Sequence, residues 1–314
     1  MKALCVVGGA VAAAVGGLAV YSAKTFRKVL GRADASVPAR DSELVKTKLQ
    51  PYADHIYDGV ELLKGAKTET VYIEAFDGLK LAALCLPAEN PRATVILMHG
   101  FRSSPYWDFA GIVRKYSGMG FNLLIPYQRA HGKSEGKYIT FGVKERRDLH
   151  SWIEWAIDRF GEKEKIVVDG MSMGSATVLM ASELGYPDNV KGIIADCGYT
   201  SPYDIVVKVM RSNMHLPKYP FIWMFGAMCR VFAGFSLKEC SATDAMKVND
   251  KPVLFAHGEA DDFVPYSMTT QNYDACVAEK ILLSVPEAGH GMCYLMDMER
   301  YDLELQKFFD KVLA

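Results

Sequence analysis

The chain has no excess of charge of either sign. Its 314 residues include 36 Lys and Arg against 37 Asp and Glu, a formal net charge of −1. With no basic surplus to neutralise phosphates, a nucleic-acid partner is not expected. No CxxC pair occurs. The seven cysteines, Cys5, Cys85, Cys197, Cys229, Cys240, Cys276 and Cys293, are odd in number and scattered. A disulfide framework or a cysteine zinc site would need closer, paired spacing. Buried reduced thiols are the expected state, which suits a reducing compartment. Internal repeats and low-complexity tracts are missing too. What is present is a chain 50% hydrophobic and 23% charged. That is the profile of a folded globular protein, either one large domain or a domain with an insertion.

Residues 3–23, ALCVVGGAVAAAVGGLAVYSA, carry no charge. The run is long enough to cross a hydrocarbon core as a helix, and a membrane anchor within residues 1–30 is the favoured reading. A secretory signal with cleavage and secretion is the alternative, although Tyr21-Ser22-Ala23 is a poor cleavage site. A buried core helix is a third reading. Lys24, Arg27, Lys28 and Arg32 follow the run, so the positive-inside bias puts the large C-terminal part in the cytoplasm. Residues 31–67 are polar and helix-leaning, broken by Pro38 and Pro51, and read as a linker with short helices.

From about Thr68 the pattern changes. Two β-rich runs flank Asp77-Gly78, a hairpin signal. Apolar strands are then expected at 93–98, 121–126, 166–169, 190–195, 253–256 and 281–285. Helices are expected at 106–117, 143–160, 175–184 and 299–312. Continuous apolar strands separated by helices imply an α/β fold with a mostly parallel sheet covered on both faces. Residues 198–246 break the rhythm and read as a helical cap. Within it Met210, Met214, Trp223, Met224 and Phe225 are candidates for an apolar substrate pocket.

Ile166–Asp169 leads into Gly170-Met171-Ser172-Met173-Gly174, a G-x-S-x-G placed between strand and helix. Such glycines permit a tight turn that lifts the serine hydroxyl out of the sheet, near a helix N-terminus. Serine needs a base to act as a nucleophile. His290, in the Gly-flanked loop after the last strand, is favoured over His257 by chain order. A carboxylate must orient that base. Asp261 is the first choice, with Asp262, Glu259 and Asp196 as rivals. The amides of Phe101 and Met173 are the expected oxyanion donors. His99 reads as a structural residue that holds its loop. His55, His131, His150 and His215 lack metal-like spacing and read as surface or core residues.

Taken together, HGF at 99–101, GMSMG at 170–174, HGEADDFVP at 257–265 and AGHG at 288–291 resemble the α/β-hydrolase superfamily. Residues 128–136, QRAHGKSEG, resemble its R-x-H-G-x-S-x-G loop, with Tyr127 where many members carry Asp. The resemblance covers roughly residues 68–314. It is nearest in character to bacterial serine hydrolases of the serine aminopeptidase and acylglycerol-lipase-like group. It implies esterase, lipase or peptidase activity. The expected reaction is hydrolysis of a carboxylic ester with a hydrophobic acyl group, on a small-molecule or lipid substrate, with no cofactor and no metal required. A peptidase or amidase with the same triad is the first alternative. A catalytically silent binding protein is the second, and a membrane-surface lipase the third.

Overall fold

The structure, a computed structural model, describes residues 24–314 apart from 25, 35 and 66. Eight strands form one sheet: β1 (Glu69–Glu74), β2 (Lys80–Leu86), β3 (Thr94–Met98), β4 (Asn122–Pro126), β5 (Ile166–Met171), β6 (Val190–Asp196), β7 (Val253–Gly258) and β8 (Lys280–Val285). Their spatial order is β1-β2-β4-β3-β5-β6-β7-β8. The β1–β2 and β2–β4 pairs are antiparallel, and every later pair is parallel. β1 and β2 form a hairpin that turns at Gly78, whose φ of 79° suits a residue without Cβ.

Side-chain alternation along the central strands feeds two cores. Ile96 and Met98 of β3 and Val168 of β5 face one core, while Val95, Leu97 and Val167 face the other. Helices that accompany the sheet include α1 (Ala53–Lys64), α2 (Val113–Gly118), α3 (Glu145–Phe160), α4 (Met173–Ala181), α5 (Pro202–Ser212), α6 (Phe221–Met228), α7 (Ala242–Met246), α8 (Tyr266–Ala275), α9 (Cys293–Met296) and α10 (Met298–Val312). α3 lays Leu149, Trp152, Ile153 and Ala156 on the first core, a helical spacing. α10 lays Tyr301, Leu305 and Phe308 on the second. The expected helix at 106–117 shrinks to α2. Pro105 and Gly111 interrupt its start, and turns replace it over residues 106–112.

Between β6 and β7 the chain carries α5, α6, a π-helical turn at Cys229–Ala233, and α7. Residues 31–67, read as a linker with short helices, include α1. Ile56, Val60 and Leu63 of α1 are buried, as is Leu30 ahead of them. Cys85, Cys197, Cys229, Cys240, Cys276 and Cys293 are free thiols, and all are buried.

The expected membrane anchor requires correction. The run at 3–23 on which it rested lies outside the described residues. Among the described residues no helix is long and apolar enough to cross a membrane. Neither anchoring nor the cytoplasmic placement inferred from it is carried forward.

Candidate active site

Strand β5 ends at the turn into α4, and Ser172 occupies that turn with φ 55° and ψ −112°. A non-glycine residue there stores about 1–3 kcal/mol, which the surroundings must offset. The neighbouring glycines allow it. A Cβ on Gly174 would lie 1.7 Å from the Met98 carbonyl oxygen, and one on Gly170 would lie 2.3 Å from Gly174 backbone. The Ser172 amide donates to the Asp196 carbonyl at 2.8 Å, tying the turn to the end of β6.

His290 reaches this turn from the loop after β8. Its Nε2 lies 2.9 Å from Ser172 Oγ, and its Nδ1 lies 2.6 Å from Asp261 Oδ2. Asp261 sits in the loop after β7. Its Oδ1 accepts from the Phe263 and Val264 amides, each at 2.9 Å. Its Oδ2 also accepts from His257 Nε2 at 3.1 Å. Burial pushes the Asp261 carboxyl up, but the hydrogen bonds from His257 and His290 outweigh it. They hold the group well below the usual carboxylate range. It is therefore ionised and faces the Nδ1 side of His290.

The rivals go elsewhere. His257 is buried with Nδ1 against Thr269 Oγ1 and Nε2 shared between Asp261 and the Val264 carbonyl. Asp196 accepts from Tyr301 Oη at 3.1 Å. Asp262 and Glu259 are exposed. Cys197, Asp261 and His290 offer donor atoms within 4.8 Å of one another, but two of these three residues already form the Ser172 hydrogen-bond chain.

The loop after β3 is held from several sides. Gly100 donates its amide to Asp108 Oδ2 at 2.6 Å, and Ser103 Oγ donates to Asp108 Oδ1. Arg102, with φ 57°, donates its amide to His131 Nε2 at 3.1 Å, while His131 Nδ1 faces the Arg129 carbonyl at 3.0 Å. That pair of partners requires a proton on Nδ1 and a lone pair on Nε2. Burial lowers the His131 pKa to about 4, in keeping with a neutral ring. His99 is built likewise. Its Nε2 accepts from the Gln128 amide at 3.1 Å, Nδ1 faces the Gly100 carbonyl at 2.8 Å, and burial holds it well below the usual imidazole range. Phe101 lies between these anchors, and a Cβ on Gly100 would stand 3.3 Å from Ser172 Cβ. The loop is thus pressed against the serine, with Met173 opening α4 on the other side. Asp108 was not singled out in the sequence, and His131 was read there only as a surface or core residue. The signal for His131 was its place in the R-x-H-G-x-S-x-G stretch. Arg129 of that stretch donates to both Asp148 oxygens, at 2.6 and 2.7 Å, and to Asp77 at 2.9 Å. Tyr127 is buried and packs edge-on against Tyr106.

Ser172 opens onto two hollows. One is a cavity of about 210 Å³ beneath α5 and α6, whose lining side chains are apolar apart from Ser172 and Tyr199. The other is a wider cleft of about 810 Å³ bordered by Gly100, Asp108, Asp262, Gly289 and His290. Of the expected pocket residues, Met210, Met214 and Phe225 line the apolar cavity. Trp223 and Met224 do not. Trp223 is 68% exposed and packs on Tyr219 with ring centroids 4.5 Å apart. One short helix cannot turn consecutive residues to the same side. Ile222 and Phe225 face inward, so 223 points out. Ile205, Val206, Val209 and Phe263 line the cavity without having been singled out.

The model of the prolyl oligopeptidase family matches residues 138–314. That of the X-Pro dipeptidyl-peptidase (S15) family matches residues 48–214. Each covers more than half of the chain. YqkD of Bacillus subtilis, described as an uncharacterized protein, is 24% identical over 272 residues, 87% of this chain and 88% of its own. A thermostable monoacylglycerol lipase of Bacillus sp. (strain H-257) is 28% identical over 138 residues, 42% of this chain and 50% of its own. The esterase Pf2001 of Pyrococcus furiosus superposes with a TM-score of 0.65 at 24% identity, over 81% of this chain and 95% of that one. At that identity the likeness is one of fold. The chain is a serine hydrolase of the α/β-hydrolase superfamily, belonging with the prolyl oligopeptidase and X-Pro dipeptidyl-peptidase families whose models it matches.

Proposed function

We propose that the chain is a carboxylic-ester hydrolase in which Ser172, His290 and Asp261 act as nucleophile, base and orienting acid. The observation that carries this reading is the hydrogen-bonded line Ser172–His290–Asp261 opening onto an apolar cavity.

In this mechanism the acyl chain enters the apolar cavity and the leaving group lies in the wider cleft. Ser172 Oγ attacks the carbonyl carbon while its proton passes to His290 Nε2. Asp261 keeps the other ring proton on Nδ1 and stabilises the imidazolium. The Phe101 and Met173 amides receive the oxyanion. Collapse breaks the bond to the leaving alkoxide, which takes the proton from Nε2. A water molecule then gives its proton to the same nitrogen and attacks the acyl-enzyme. The acid leaves, and the proton returns to Ser172. Helices α5 and α6 serve as the cap, in a hydrolase domain of about residues 68–314.

A peptidase or amidase reading with the same residues is favoured by the two peptidase family matches. Turnover of p-nitrophenyl esters from acetate to palmitate, beside a panel of aminoacyl nitroanilides, separates the two. The ester reading expects hydrolysis of the esters that disappears in Ser172→Ala. Turnover of the nitroanilides alone would replace it with the peptidase reading.

A further inference from the structure

One wall of the apolar cavity comes from outside the hydrolase sheet. Val29, helical within the described residues 26–30, lines the same cavity as Ser172. The segment around it is fastened rather than draped. Leu30 accepts at its carbonyl from the Ile139 amide at 2.8 Å, and Ala33 donates to the Ala130 carbonyl at 2.8 Å. The Gly132 amide donates back to Ala33 at 3.0 Å. Arg32 donates to the Ser134 carbonyl at 2.5 Å. Arg102 Nη1 donates to the Gly31 and Lys28 carbonyls at 3.0 and 3.2 Å. Arg102 adjoins Phe101, so one residue ties this segment to the loop proposed to hold the oxyanion.

The apolar side of the segment is as closely seated. Phe26 and Leu30 are buried. The Phe26 ring stands 5.3 Å from Tyr138 and 5.9 Å, edge-on, from Phe225 of α6, itself a cavity residue. Backbone bonds on one side and aromatic packing on the other fix where Val29 can go. A side chain held this way excludes volume reliably, which is what selectivity by size requires.

We propose that Val29 is a specificity-determining residue that limits the length of acyl chain the cavity accepts. This rests on the ester-hydrolase reading for its substrate. The cavity is small, about 210 Å³, so a few carbons added or removed at this wall change what it admits. Val29→Phe adds four side-chain carbons at that wall. Val29→Ala removes two.

The test uses the full chain and two readouts. In the first, kcat/KM is measured on p-nitrophenyl acetate and octanoate. Val29→Phe should lose about tenfold or more on octanoate relative to acetate, and Val29→Ala should move the optimum to longer chains. In the second, calorimetric binding of octan-1-ol and butan-1-ol is measured in a Ser172→Ala background, where no turnover is needed. Val29→Phe should weaken octanol about tenfold and leave butanol within threefold. Val29→Ala keeps the test open should the larger residue prevent folding. An unchanged acyl profile together with unchanged octanol binding would overturn the proposal, as would a cavity that binds no octanol before Val29 is altered. Octanol binding that responds to Val29, in a protein that cleaves no ester, would uphold the wall and discard the ester reading alone.

Discussion

Exchanging Asp261 for asparagine replaces one oxygen with an amide nitrogen. Asp261 Oδ1 accepts from two backbone amides, Phe263 and Val264, so that position must remain an oxygen. The new NH2 group is forced to the Oδ2 position, facing His290 Nδ1 and His257 Nε2. A donor there turns His290 Nδ1 into an acceptor and moves its proton to Nε2. The ring then presents N–H to Ser172 Oγ and cannot take the serine proton. A tautomer reversal of this kind lowers kcat by about 10⁴-fold, close to 5.5 kcal/mol at about 1.4 kcal/mol per tenfold. Both backbone bonds to Oδ1 survive, but the buried His257 Nε2–H loses its acceptor at Oδ2 and keeps only the Val264 carbonyl, so a loss of about 1–3 kcal/mol of stability is expected. Asp261→Ala is the contrasting variant. It strands the two amides as well, and should lose about 1–3 kcal/mol of stability for each. The assay is kcat on the best ester, with thermal melts of both variants. An asparagine variant that keeps more than about a tenth of wild-type kcat would refute the tautomer reasoning.

Three further outcomes follow from the same geometry. Gly174→Ala puts a Cβ 1.7 Å from the Met98 carbonyl and should cost about 3 kcal/mol or more in denaturant melts; a loss under about 1 kcal/mol would contradict the close approach of α4 to β3. Burial raises the Asp169 carboxyl to about 7, against the lowering effect of the Tyr116 hydroxyl bond at 2.6 Å. The neutral acid therefore stabilises the fold fully below about 3.9, and that contribution is lost as pH rises through about 7. Asp169→Asn, still an acceptor for Tyr116, should gain stability over wild type by a few kcal/mol at pH about 9 and little at pH about 4, so a pH-independent difference between melts would contradict the assignment. His131 runs the other way: its neutral ring stabilises fully above about 6.5 and the contribution is lost as pH falls through about 4. Wild type should lose more stability than His131→Gln between those limits, and equal losses would show that His131 does not hold Arg102.

Much of the fold was legible because its central strands are buried on both faces. A strand such as Thr94–Met98 has no exposed residue, so it reads as an unbroken apolar run. That Ser172, His290 and Asp261 would lie together was legible because the proposed chemistry needs particular residue types at strand ends, and chain order left few candidates. The cavity wall was not. Phe221–Met228 is FIWMFGAM, apolar on every face, so its periodicity has no phase to say that Phe225 points in and Trp223 out. Val29 was hidden for a related reason. It follows a long apolar run, and only the tertiary pairing of Leu30 with Ile139 and of Gly31 with Arg102 places it. His131 looked like an ordinary buried histidine because its partner is a backbone amide 29 residues away.

The central claim is that Ser172 is the nucleophile of a working site. Labelling the full chain with a fluorophosphonate and mapping the adduct by peptide mass spectrometry tests it most directly. Stoichiometric modification of Ser172, lost in Ser172→Ala and sharply slowed in His290→Ala, is the expected result. No adduct in protein that melts cooperatively, or an adduct on another residue, would contradict it.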